Sequence, residues 1–372
     1  MVDTIKLLIP IPKPELLKGN GFVPTVHELV SSSKYGKAVL NSSPTYAKMG
    51  KYMPRLTLFK RPSKFGTAYQ LTVEFSAPKM LFGNNFDELS ESDFEPLLKA
   101  LQEKLDELIG IRYLKVQLSH FDIGAWHPSK NIVFLDYTSV QTLLNTIGKL
   151  DISRVYDVQK TDFRDGHVLH IHCNSMDIAF YDKMADLRKA KTSPKRAFES
   201  ENQIQLNLFE TFDEYKPMTV FRYEVRLVGK AAIKRSFPEI QQHNLESLFK
   251  KDVSKGLLIK HWKKITEHVD MLSLDVNRPY ELLQNYIEEN DGVTPQGALA
   301  AVAGLLVVRQ EGMDGLRNVL EARFGTHAWY RIKSLLNPPN AYRFQSFQRI
   351  DEVLEQFSPT HVADYLQNIA NN

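Results

Sequence analysis

The chain of 372 residues has one cysteine, Cys173, so an intramolecular disulfide is impossible and a thiolate-rich metal site is excluded. No segment approaches the roughly 20 apolar residues that cross a bilayer. The opening MVDTIKLLIPIPKP mixes acid and base into a short apolar run with no small-residue cleavage site after it, which argues against a signal peptide. There is no glycine-rich phosphate loop, no repeat and no low-complexity tract. What these absences leave is a folded protein suited to a reducing cytoplasm and not to a membrane. Its 43% hydrophobic and 24% charged residues are ordinary for that class, and its length suits one large or two modest domains.

A further absence is local. From Lys34 to Lys64 there is no acidic residue, while eight Lys or Arg alternate with Tyr35, Tyr46, Tyr52 and Phe59. A second basic excess runs from Arg226 to Lys264, and Asp87 to Glu107 between them is acidic. A charge run is ordinarily a solvated surface. Interleaved aromatics and segregated sign point instead to a face that attracts phosphate backbones, although the formal net charge is only +3. Lys51, Arg55, Lys60 and Arg61 in this stretch, Arg188 and Lys189 further on, and Arg222 and Arg226 on a later strand are the cations we assign to DNA.

Residues 4–11 read as a strand ended by prolines. LTLFKR (56–61) and YQLTVEFSA (69–77) read as neighbouring antiparallel strands, the second with Leu71, Val73 and Phe75 on one side and Thr72 and Glu74 on the other. Residues 92–110 form an amphipathic helix with Ser92 as N-cap and Gly110 as its stop. YLKVQLSHFDIGAW (113–126) follows as a strand with His120, Asp122 and Gly124 on one face, and 139–150 is a second helix. Helices between alternating strands favour an α+β fold, an antiparallel sheet with helices covering one face. Beyond about residue 255 the pattern is helical. Thr294 and Pro295 open an Ala/Leu-rich helix that Gly312 ends, so we divide the chain into residues 1–255 and a smaller, mainly helical part, 256–372.

The central stretch carries the chemistry. In GHVLHIHCNSMDIAFYDKMADLRKAK (166–191), His170 and His172 share one strand face, and Asp177, Ala179 and Tyr181 share another, with Ile178 and Phe180 opposite. Lys183 begins a helix. In VFRYEVRL (220–227), Arg222, Glu224 and Arg226 alternate with Phe221, Tyr223, Val225 and Leu227. A tyrosine with its ordinary pKa of about 10 is a poor nucleophile. A divalent metal that polarises a phosphate, with a cation nearby, makes its attack on phosphorus feasible. His170 and His172 can reach one ion, Asp122 or Glu224 can complete its shell, and Lys183 can lower the phenol pKa or neutralise the phosphate. The product is a covalent phosphotyrosine. Each residue also has a plainer role: a His-x-His pair is more often surface than ligand, Tyr181 can be an edge aromatic, and Glu224 between two arginines can be a cross-strand ion pair.

These segments, in this order, resemble the rolling-circle replication initiators of filamentous phages, the gene II and gene X family, with related plasmid proteins. MVDTIKLLIPI, VEFSAPKMLFGNN, SHFDIG, AFYDKMADL and FRYEVRL resemble the family's successive strands and tyrosine segment, and TPQGALAAVAGLLVVRQEGMDGLRNVL with HAWYRIKSL resembles its carboxy-terminal part. The resemblance implies an HUH-nuclease-like fold and a magnesium- or manganese-dependent site-specific nickase and strand joiner. It implies Tyr181 as nucleophile, Lys183 as its neighbour, and Asp122 and Glu224 as the acidic positions. The implied partners are a supercoiled double-stranded origin, the displaced single strand, and host helicase and polymerase in the cytoplasm of a bacterial host cell. Two alternatives stay open: a binding protein of the same fold without chemistry, and a metal-dependent hydrolase that uses activated water.

Overall fold

Strand residues of alternating polarity dictate a sheet with one greasy and one polar side, and the computed structural model has that sheet. It describes residues 1–17, 21–41, 51–64, 66–152, 156, 158–164, 166–190, 218–273, 279–336 and 344–365. The strands are β1 (Val2–Pro10), β2 (Gly36–Leu40), β3 (Arg55–Ser63), β4 (Gly66–Ser76), β5 (Asp122–Phe134), β6 (Val158–Arg164), β7 (Val168–Cys173), β8 (Met176–Asp182) and β9 (Thr219–Val228). The chain makes two units. The first combines Met1–Tyr137, Ser175–Leu258 and Gln356–Asn372, and the second combines Thr138–Asn174 and Ile259–Glu355. Among the described residues no helix is long and apolar enough to cross a membrane.

In the first unit the strand order is β2-β3-β4-β1-β5-β9-β8, and every adjacent pair is antiparallel. Registers such as Thr57↔Thr72, Lys6↔Glu74, Ser129↔Glu224 and Tyr181↔Arg222 put the polar members of each strand on one side. The other side is Ile5, Leu7, Leu58, Leu71, Val73, Phe75, Ile178, Phe180, Phe221, Tyr223 and Val225, all buried. Phe180 lies 4.9 Å from Tyr223 and 5.8 Å from Phe221, stacked across β8 and β9. Burying a side chain of this size contributes about 1.5–3 kcal/mol, so the apolar side fixes the register and thereby the polar side.

The second unit contains the antiparallel hairpin β6-β7 and helices Val140–Gly148, Pro279–Glu289, Pro295–Phe324 and Thr326–Leu335. Thr294 caps the long helix by accepting from Gly297 N at 3.1 Å. Gly312 interrupts it with φ 83°. Met313 N donates there to the Lys149 carbonyl at 2.9 Å.

Two sequence expectations need correction. The helix expected from Ser92 runs Phe94–Ile109, and it is Ser90 that bonds Asp93 in the preceding 3-10 turn. The strand expected over 113–126 is split. Lys115–His120 is a short helix, opened by the Gln117 side chain accepting from Leu114 N, and β5 starts only at Asp122. Beside the sequence division at residue 255, the two compact units meet in the chain at 258/259, with 138–174 in the second and residues from Gln356 on in the first. The helix begun by Lys183 is described to Ala190, and its continuation towards Pro194 lies outside the described residues.

Gly312 yields a prediction. A Cβ there would sit 2.8 Å from the Lys149 carbonyl oxygen at a φ of +83°. Gly312→Ala should cost about 2–3 kcal/mol, from left-handed strain plus the clash, measured by urea unfolding followed by circular dichroism.

Candidate active site on the polar face of the sheet

The three strands β5, β9 and β8 bring their polar members into one patch. Asn131 faces Arg222, which faces Tyr181, and Ser129 faces Glu224, with Asp177 opposite Arg226 on the outer strand. His127, two residues before Ser129, lies 3.6 Å from Glu224 through its Nδ1. This end of the face is covered: Phe86, Met184 and Val362 pack with Val133 and Val220 in a buried apolar cluster.

Arg222 is the hub. Only 1% exposed, it donates to Asn131 Oδ1 and Ser129 Oγ, both at 3.0 Å, and to the Asn85 carbonyl at 3.3 Å. It pairs with Asp3 of β1 at 3.1 Å, and Asp3 accepts from Ser76 Oγ at 3.0 Å. Glu224 pairs with Arg226 at 2.9 Å. Burial alone would raise the Glu224 carboxyl, but the Arg226 charge, the approach of His127 and the Arg222 charge outweigh it and hold the group well below its usual range. A second buried tie joins Glu88 to Lys130, to the Asn131 amide and to Thr360.

Tyr181 is 8% exposed. Burial pushes its phenol pKa up, the Arg222 charge opposes the shift, and Glu224 adds to it. Lys183 Nζ lies 5.9 Å from the Tyr181 ring centroid. This amine is fully buried and, among the described residues, has no hydrogen-bond partner. Burial first, then the Arg222 charge, lowers its pKa to about 7 against the pull of Asp186 and Asp3. At neutral pH it can therefore take up a proton, which an ordinary lysine cannot.

Two of the expected metal ligands, Asp122 and Glu224, lie far apart in the first unit. Asp122 is an exposed residue at the start of β5, paired to Lys230 at 2.5 Å. It is seven residues along β5 from Ser129, the partner of Glu224, so the two carboxylates are roughly 20 Å apart. Glu224 is occupied by Arg226 and His127. His170 and His172 stack on each other at 5.5 Å on β7, in the second unit. Among the described residues no three His, Cys, Asp or Glu gather where one ion could be held. Within the first unit Asp122 and Glu224 are therefore too far apart to share one magnesium or manganese.

The DNA assignments divide similarly. Lys60 is on the apolar side, where its amine caps the end of helix Val26–Ser31 by donating to the carbonyls of Leu29, Val30 and Ser32. Arg222 is consumed in the network, and Arg226 is mostly so. Lys51 is exposed and 3.9 Å from Glu107. Arg55 and Arg61 are exposed on the polar face of β3. The side chains of Arg188 and Lys189 lie outside the described residues. Sequence reading missed Asp3, Ser129, Asn131 and His127. The alternation of 127, 129 and 131 could have exposed the last three, had Pro128 not argued against a strand there. Comparison of the chain with protein-family models, curated proteins and solved structures returns no match.

The Lys183 amine sets a pH dependence. Between pH 7 and its ordinary 10.5 it binds a proton in the unfolded chain and not in the folded one, so its contribution to stability rises with pH across that window and is flat below it. Wild type should gain stability relative to Lys183→Met from pH 7 to pH 10, by about 1.4 kcal/mol per pH unit at most. Urea unfolding of both proteins at pH 6, 8 and 10 measures this.

Proposed function

We propose that this protein is a rolling-circle replication initiator that nicks one strand of a duplex origin and rejoins the displaced strand, with an HUH-nuclease-like first unit. The observation that carries the reading is the seating of Tyr181 beside Arg222 and Lys183 on the polar face of an antiparallel sheet. Nucleophile, fixed positive charge and proton acceptor then belong to one patch. In the reaction the Tyr181 oxygen attacks phosphorus as its proton passes to Lys183. The bond from phosphorus to the 3′ oxygen breaks, and that oxygen leaves as a hydroxyl with the proton Lys183 returns. A 5′-phosphotyrosine remains, and attack on it by a 3′ hydroxyl reverses the sequence.

In this reading the protonated Lys183 offsets the transition-state charge, and Arg222, whose donors are taken by its own network, contributes its field. The host polymerase and helicase would use the freed 3′ end in the bacterial cytoplasm. A second reading, a strand-binding protein without the chemistry, is favoured by the burial of Tyr181, since its phenol must be uncovered before it can react.

The test is supercoiled DNA of the replicon that encodes the chain, incubated with the protein and manganese and resolved by denaturing electrophoresis. Wild type should yield open circles with protein on the 5′ end. Tyr181→Phe should yield neither, with DNA retention unchanged. An adduct that survives in the Phe variant overturns Tyr181 as nucleophile. A free 5′ phosphate assigns hydrolysis by water, and retention without any nick assigns the binding protein.

A further inference from the structure

At the other end of the same polar face lies an open groove of about 600 Å³ that the reaction above does not use. Five cations rim it: Lys6, Lys37, Arg55, Arg61 and Lys230. Lys6 is paired with Glu74 at 2.9 Å and Lys230 with Asp122 at 2.5 Å. Among the described residues no carboxylate pairs with Lys37, Arg55 or Arg61. From β2 to β1 is three strand spacings, roughly 14 Å, the length of about four phosphates of one stacked strand at about 3.4 Å each.

Cations alone would accept any polyanion, but the groove also contains an aromatic ring where the fold has no use for one. The apolar residues of β3, Leu56 and Leu58, point to the core, whereas Phe59 points the other way, half-buried on the polar face. The guanidinium carbon of Arg61, two residues on, is 4.3 Å from the centre of its ring. A ring extended by a guanidinium plane is a surface on which a base stacks, and bases offer their flat faces only when unpaired.

We propose that Phe59 with Arg61 is a base-stacking subsite, and that Lys37, Arg55 and Lys6 track the phosphates on either side, so that this groove holds an unpaired nucleic-acid strand in preference to a duplex. The inference rests on the proposed function only for the kind of polymer, and it stands whether or not Tyr181 reacts.

The experiment is fluorescence anisotropy of the full-length chain carrying Tyr181→Phe, with a labelled oligothymidylate of about 12 nucleotides, a duplex of equal length, and inorganic polyphosphate as competitor. The single strand should bind more tightly than the duplex. Phe59→Leu should weaken its binding about 5- to 100-fold, the worth of one stacked base, and Phe59→Trp should restore it, which separates lost stacking from lost folding. Arg55→Gln should lower the salt slope by about 0.7, one phosphate's share. Equal affinity for duplex, an unaffected Phe59→Leu variant, or polyphosphate competing as well as the oligonucleotide would each overturn the subsite. A chain that binds the strand through Phe59 and never nicks refutes the proposed function alone. One that nicks while Phe59→Leu and Arg55→Gln bind normally refutes the groove alone.

Discussion

One buried guanidinium organises the first unit. Arg222 projects from β9, donates to Ser129 and Asn131 on β5, and pairs with Asp3 on β1, so a single group ties three neighbouring strands on their polar side. A charge sealed from water is tolerated only when nearly all its hydrogen-bonding capacity is met, and that requirement dictates the small polar residues around it. It also explains Lys183. Its own burial first, and then the positive charge beside it, drive this amine towards its neutral form, and Tyr181 is left next to a fixed positive charge and a group that accepts protons.

The polar face is therefore two environments on one sheet. Where β5, β9 and β8 meet, charges are paired, dry and covered by apolar side chains. Where β2, β3, β4 and β1 lie, cations face solvent around a groove. Local segregation of this kind gives a nearly neutral protein a strongly positive surface, and the wet end can engage a polyanion without disturbing the dry one.

Much of this was legible in the strands and little in the distances. Period-two alternation assigned both faces of 71–75, 177–181 and 221–227 correctly, because a strand cannot bury one residue without turning its neighbour outward. The same rule applied to LTLFKR would have placed Lys60 with Leu56 and Leu58 inside. Its charge suggested DNA, but parity prevailed, since the amine had a helix end to cap. His127 lies just beyond the strand expected over 113–126, yet β5 continues through it and Pro128. The separation of Asp122 from Glu224 could not be read at all. Each sits on a plausible strand, and only pairing between segments far apart in the chain decides which strands are neighbours.

Thr360 has a consequence for synthesis. Its hydroxyl accepts from Lys130 and its backbone N–H donates to Glu88 in the first unit, yet the whole of the second unit precedes it in the chain. Domains usually fold as they leave the ribosome, amino-terminal first. Here the earlier-emerging unit must wait, its Glu88–Lys130 pair without the Thr360 contacts, until residue 360 has been made, while the inserted unit can already be complete. A nascent chain in that interval is a natural client for chaperones.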